Sequence, residues 1–278
     1  MANTAQAVDY SSFVDEYVDE SGMDQNQASG GGGDIAPPAE GRAYARLVEY
    51  IELGAHIGTY QGKPKAKPDH LVRLVIELSG KKYPPITLED GTVTPQKMFF
   101  EMNISTNEKS RFYKLFRAIN GMYGDKYKHF ASMVADNVAF IVNITHRKSG
   151  EGADARVFAN VWKDGAWQVQ SLVKFDEDGE PAGFYTVVPA LSPTKIFLFN
   201  RPRLIDWNQL YIEGTRDDGT SRNWVQERIM NAVNFEGSAL EALLIDLPVD
   251  GDANKPAPKA AKADKAPAKK AKVDDLDI

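Results

Sequence analysis

Cations and aromatic rings recur together between residues 46 and 148 of this chain. Arg46, Tyr50, Tyr60, Lys63, Lys65, Lys67, Arg73, Lys97, Phe99, Arg147 and Lys148 form the series. Cationic side chains neutralise phosphates, and flat aromatic faces accept stacked bases at about 1–3 kcal/mol each, with little regard to base identity. Lys63, Lys65 and Lys67 alternate with Pro64, Ala66 and Pro68, and the two prolines limit collapse of the lysines onto the body of the protein. The alternation of the flanking segments turns Arg46, Tyr50, Arg73, Lys97 and Phe99 outward, between that loop and a second one carrying Arg147 and Lys148. For Tyr50 and Phe99 a place in the core is the competing assignment.

Other chemistry finds little support. Cysteine is absent, which removes disulfides, thiolate metal sites and a cysteine nucleophile and fits a reducing, cytoplasmic setting. The histidines, His56, His70, His129 and His146, are too dispersed for metal-ligand spacing or for a Ser-His-Asp arrangement. Gly62-Lys63-Pro64-Lys65 lacks the second glycine and the Lys-Ser/Thr pair of a phosphate-cradling loop. Asp176, Glu177 and Asp178 fall at a hairpin turn without the spacing of a calcium loop. These features point away from an enzyme and require no cofactor.

The net charge of −6 conceals a block pattern. Residues 1–41 hold eight acids and no base, whereas residues 42–150 hold 17 Lys and Arg against 10 Asp and Glu. Residues 151–254 are acidic again, with 9 bases against 17 acids. A basic block between acidic ones is an electrostatic footprint for a polyanion that the overall charge hides. The Lys/Ala/Pro tract 254–272 carries seven lysines and Asp264, and cannot bury enough apolar surface to fold. It presents the tip Asp274, Asp275, Leu276, Asp277 and Ile278, which offers acids to a basic pocket and a branched side chain to an apolar slot. No apolar run reaches membrane-spanning length, and no basic-then-apolar leader opens the chain.

The elements that position these groups follow from hydrophobic period. Alternation predicts strands over 43–57, 71–78 and 96–105, a helix over 106–120 capped by Thr106-Asn107 and stopped by Gly121, and strands over 137–146 and 156–162. An extra hairpin over 167–188 turns at Asp176–Gly179, and helices follow over 222–232 and 239–244. The fold class is therefore mainly β (α+β): a five-stranded OB-fold barrel with a helix between strands 3 and 4, an extra hairpin and a C-terminal helical extension. The domain plan is a disordered acidic arm over 1–41, the barrel over 42–165, the packed extension over 166–248, a flexible linker over 249–272 and the tip over 273–278.

The run Ala45-Arg46-Leu47-Val48-Glu49-Tyr50-Ile51-Glu52-Leu53-Gly54, with Val72-Arg73-Leu74-Val75-Ile76-Glu77-Leu78, resembles the opening of phage-encoded OB-fold single-stranded DNA-binding proteins. Trp207-Asn208-Gln209-Leu210-Tyr211-Ile212-Glu213-Gly214 and the segment 226–238 resemble their C-terminal extension. The resemblance implies a protein of the host-cell cytoplasm that coats single-stranded DNA stoichiometrically and without sequence preference. It also implies recruitment of replication or recombination enzymes through the tip, and is compatible with a homo-oligomer. The first rival is an OB-like assembly or interaction protein, for instance of a virion, that binds no nucleic acid; the second is a metal-dependent nuclease.

The tip carries the first prediction. Deleting residues 273–278 alone keeps the linker constant and removes an intramolecular competitor held at about millimolar effective concentration. DNA affinity is expected to stay equal or to tighten, mostly at low salt, while capture of the partner enzyme is lost. Titration at two salt concentrations and a pull-down measure both, and a deletion that alters neither assigns the terminus to a frayed acidic end.

Overall fold

The structure, a computed structural model of the chain, describes residues 36–60, 62–88, 91–150, 156–216 and 219–245, the side chain of Tyr60 excepted. Of the disordered acidic arm expected over 1–41, residues 1–35 lie outside this set, as do the linker and the tip; residues 36–41 are described, and Gly41 opens β1. The alternating apolar segments form β1 (Gly41–His56), β2 (Asp69–Ser79) and β3 (Lys97–Asn103). Next come α1 (Arg111–Met122), α2 (Phe130–Ala135), β4 (Ala139–Ser149), β5 (Arg156–Asn160) and the short β6 (Val169–Gln170). The C-terminal part adds β7 (Lys195–Phe197), α3 (Leu204–Asn208), α4 (Trp224–Met230) and α5 (Ala239–Ile245).

The molecule is mainly β, built on one large sheet with five helices among the described residues. β3, β2, β1 and β4 lie side by side and antiparallel, and β5 and β6 both pair with β4. No pairing joins β3 to β5 among the described residues. Trp167, paired with Trp162 just beyond β5, packs onto the β3 side: its ring meets Phe100 edge-on at 5.2 Å, and its Nε1 donates to the Arg111 carbonyl at 2.8 Å. β6 pairs with β4, so the main sheet continues past residue 165, the domain boundary expected from sequence.

One face of the sheet buries Ala43, Ala45, Leu47, Leu74, Ile76, Met98, Phe100, Phe140 and Val142. Helices α1 and α2 seal it, with Phe112 and Phe116 edge-on to Phe130 at 5.1 and 5.2 Å. Helix α1 starts four residues later than the cap expected at Asn107. Asn107 instead caps a local turn by accepting from the Lys109 amide at 2.9 Å, and Ser110 caps the helix by accepting from the Tyr113 amide at 3.1 Å. Gly121 sits within the last turn. The reversal comes at Gly124 and Asp125, both left-handed with φ of 66° and 58°.

β1 departs most from simple alternation. Its pairing with β2 steps from Leu47↔Ile76 to Glu49↔Val75, and again from Glu52↔Val72 to Gly54↔Leu71. Val48 and Leu53 are thus extra residues, and each bulge reverses which face the following side chains take. Beyond Val48, Tyr50 joins Ala43, Ala45 and Leu47 in the first core, while Ile51 and Leu53 turn to a second core on the opposite face. That second core gathers Phe197, Phe199, Trp207, Leu210, Val225, Ile229, Phe235 and Leu240 from the C-terminal extension. β7 docks in parallel on β1, with Tyr50 opposite Ile196.

Gly54 shows how closely the extension approaches. Its φ is +84°, and a Cβ there would stand 2.5 Å from the Ala232 Cβ and 2.9 Å from the Phe199 ring. Left-handed backbone strain and overpacking each cost about 1–3 kcal/mol, so Gly54→Ala is expected to lower unfolding free energy by about 2–5 kcal/mol. Urea titration reads the loss; an unchanged midpoint would mean that the extension yields freely at this contact.

Candidate nucleic-acid interface

The outer face of β1, β2 and β3, where the sequence places stacking and phosphate-binding groups, is occupied by the chain itself. Arg46 is half-buried, and its guanidinium donates to the carbonyls of Val187, Val188 and Asn137 at 2.8, 2.7 and 2.8 Å. Arg73 lies over the rings of Phe99 and Trp224, at 4.4 and 4.8 Å, with Glu49 at 3.9 Å. Phe99 is 3% exposed and packs with Val48, Val75 and Ala190. Lys97 is half-buried at the start of β3, opposite Glu77.

Tyr50 is fully buried, its ring edge-on to His129 at 5.0 Å and its hydroxyl donating to Glu52 at 3.1 Å. Burial raises the phenol well above its ordinary value, and the neighbouring Glu52 carboxylate adds to the shift, so the hydroxyl stays neutral. Neither Tyr50 nor Phe99 shows a face on which a base could stack. The expectation of outward rings fails at Tyr50 because the Val48 bulge reverses parity. It fails at Phe99 because the outward face is itself covered.

Acidic residues explain the cover. Glu77, 5% exposed, accepts from the amides of Leu191 and Ser192 at 2.7 and 2.8 Å. Glu101 pairs with Arg228 on the same face, while Glu52, opposite Val72 on the inner face, accepts from the Phe199 amide at 2.9 Å. Carboxylates that receive backbone amides hold a strap of chain firmly, and the same carboxylates would repel phosphates. This face is a docking surface for the extension.

Lys63, Lys65 and Lys67 remain exposed in the loop after β1, where Thr59–Tyr60 pairs with Lys63–Pro64. Lys65 is held 2.5 Å from Asp69, which also accepts from Asn103 at 2.9 Å. The Tyr60 side chain lies outside the described residues. Arg147 and Lys148 stand beyond the other end of β1, whose pairing with β4 starts at Gly41↔Ile144. The sheet therefore sets the two basic loops at opposite ends, with the covered face between them. The tip residues Asp274, Asp275, Leu276, Asp277 and Ile278 lie outside the described residues.

The structure gathers a different basic-aromatic group on the outer face of β4 and the first residues of β1. Directly opposed residues share a face, so Arg42 and Asn143 point the same way, as do Tyr44 and Ile141. Two steps along β4 from Thr145, Arg147 shares that face and stacks over Phe158 of β5 at 5.6 Å. Above Arg42 lies Tyr185, whose ring receives Arg42 at 4.6 Å, Lys174 at 5.1 Å and the Tyr44 ring at 5.9 Å. Tyr185 and Lys174 come from the expected hairpin, which pairs Val173 with Phe184 and Phe175 with Pro181. Phe175 and Phe184 are 64% and 71% exposed. At its turn, Asp176 accepts from the amides of Asp178 and Glu180 at 3.1 and 2.8 Å, so one acid of the triplet is spent on the turn itself.

Arg42, Tyr44, Phe158, Lys174, Phe175, Phe184 and Tyr185 were missed by sequence reasoning. The parity that exposed Arg46 also exposed Tyr44 and Arg42, and a Phe on each arm of a polar hairpin was a readable anomaly. Among the described residues, no group of three or more His, Asp or Glu is placed to hold a metal ion. No helix among them is long and apolar enough to cross a membrane.

No protein-family model, curated protein or solved structure matches the chain, so its functional assignment rests on this geometry.

The strap over the sheet gives a direct test of its anchor. A hydrogen bond to a charged acceptor contributes about 1.5–3 kcal/mol, so Glu77→Ala is expected to speed hydrogen exchange at the Leu191 and Ser192 amides about ten- to hundredfold. Amides in the β2–β3 ladder serve as the control. Unaltered exchange at both positions would show that other contacts fix the strap.

Proposed function

We propose that this chain is a single-stranded DNA-binding protein that acts by stoichiometric coating, with the strand running over the outer face of β4 and the hairpin beyond it. The observation that carries the proposal is the cluster in which Arg42 and Lys174 lie over the Tyr185 ring, beside Tyr44 and next to the exposed Phe175 and Phe184. Cations within reach of aromatic faces are the combination that holds phosphates and unstacked bases together. A duplex keeps its base faces stacked away, so protruding phenylalanines favour a single strand over a double one.

The sheet order favours the same reading. The order β3-β2-β1-β4-β5, with helices between β3 and β4, supports an OB-type barrel in which Trp167 stands in for the closing strand contact. In such a barrel the middle strands are the usual ligand face; here that face carries the chain's own extension, and the binding surface moves to one side. The acidic tip remains the proposed docking point for replication or recombination enzymes.

The exposed phenylalanines also suit a protein contact, which keeps the assembly-protein reading as the rival. Titration of fluorescent oligo-dT and of duplex separates the two. Binding of oligo-dT is expected to exceed duplex binding and to fall with salt by about 0.7 in log slope per phosphate neutralised. Replacing Arg42, Arg147 and Lys174 by Ala should flatten the slope by about two units, and by more than replacing Lys63, Lys65 and Lys67. Phe184→Ala or Tyr185→Ala should weaken binding by about 1–3 kcal/mol with little change in slope. Absence of any oligo-dT binding would remove this function and leave the rival.

A further inference from the structure

The residues leading into β1 do not leave the sheet freely. Pro38 and Glu40 run along β4 beyond the point where β1 pairing starts. The Pro38 carbonyl lies 2.7 Å from His146 Nε2, which places the proton on that nitrogen, and Glu40 accepts from the His146 amide at 2.6 Å. On the other side the Tyr83 hydroxyl donates to the Ala39 carbonyl at 2.9 Å. These three contacts aim the preceding chain along the exposed end of the β4–β5 ribbon. Arg147 and Lys148 follow His146 directly, Arg156 lies opposite Ser149, and Arg42 projects from the first residues of β1; all four are exposed.

The chain delivered to this place is unusually acidic. Residues 9–34 carry Asp9, Asp15, Glu16, Asp19, Glu20, Asp24 and Asp34, without one Lys or Arg. The stretch after Asp24 includes Gly30–Gly33, and a glycine-rich tether of about a dozen residues spans roughly 20 Å on average. Asp15–Asp24 can therefore reach the four cations at an effective concentration of about millimolar.

We infer that the acidic N-terminal arm docks on the basic end of β4 and β5 formed by Arg42, Arg147, Lys148 and Arg156. This surface overlaps the proposed strand path, so the arm competes with nucleic acid there; that consequence rests on the proposed function, while the docking does not. Exposed pairs contribute only about 0.2–1 kcal/mol each and are screened by salt. The arm is thus a weak occupant that a strand with many phosphates displaces.

The test uses the full-length protein in two forms, native and with Asp9, Asp15, Glu16, Asp19, Glu20 and Asp24 changed to Asn or Gln. A fluorescent peptide of residues 1–35 is titrated into each at low salt and followed by anisotropy. The peptide is expected to bind the neutralised form about three- to thirtyfold more tightly than the native form, whose own arm fills the site. Adding Arg147→Ala, Lys148→Ala and Arg156→Ala to the neutralised form should remove that binding, with circular dichroism checking that the fold persists. Equal affinity for both forms, no binding to either, or binding that survives loss of the cations overturns the inference. Oligo-dT is titrated into the same proteins, where arm neutralisation should tighten binding at low salt. Failure of oligo-dT to bind either form would count against the DNA-binding function alone, since the peptide measurement decides the docking.

Discussion

Val48 lets one strand serve two cores. An ordinary strand offers one face to one partner layer, and β1 does so from Ala43 to Leu47. The extra residue at Val48 then rotates the pattern, so that Tyr50 stays with the first core while Ile51 and Leu53 enter the second. Without this reversal Tyr50 would face the strap and Ile51 would face the first core, leaving the extension no apolar seat on β1. The second bulge, at Leu53, and the left-handed Gly54 complete the arrangement by letting Ala232 and Phe199 approach the backbone itself. The extension is therefore integral to the fold.

Charge is divided on the sheet with equal consequence. Glu49, Glu77 and Glu101 lie in the covered middle, where they meet backbone amides or guanidinium groups of the same molecule. Arg42, Arg147, Lys148 and Arg156 lie toward the open end. A polyanion thus meets an attractive surface on one side and a closed, acid-lined one in the middle. A count of basic residues over 42–150 averages across these regions and cannot separate them.

Much of the architecture was legible because period and burial agree. Strands β1 to β5, helices α1, α4 and α5 and the polar hairpin, here only Val173–Phe184, follow from runs of apolar residues with clear spacing. The short α2, β6, β7 and α3 were not expected. What could not be read is equally particular. Tyr50 needed knowledge of a bulge, and a single inserted residue leaves only a doubled apolar pair, Leu47-Val48, that also fits an ordinary strand covered on both faces. Phe99 needed knowledge of a covering segment about ninety residues later in the chain. The Asn107 cap lost to Ser110 because both residues are good caps, and the turn between them, with Ser110 donating to the Ser105 carbonyl at 3.0 Å, decides which begins the helix.

The parallel docking of β7 on β1 has a bearing on how the molecule is made. Residues 49–51 of β1 pair with β2 on one edge, but their other edge receives its partner only when residues 195–197 exist, about 150 positions later. Until then a ribosome-bound chain holds an open strand edge flanked by Ile51 and Leu53, apolar side chains whose cover is also unmade. Contacts so distant in sequence form slowly, because a long loop must close before any energy is returned. An unpaired edge of this kind is a place where two nascent copies can join wrongly. Assembly of the second core is thus the step at which a cell's chaperones would find the most to hold.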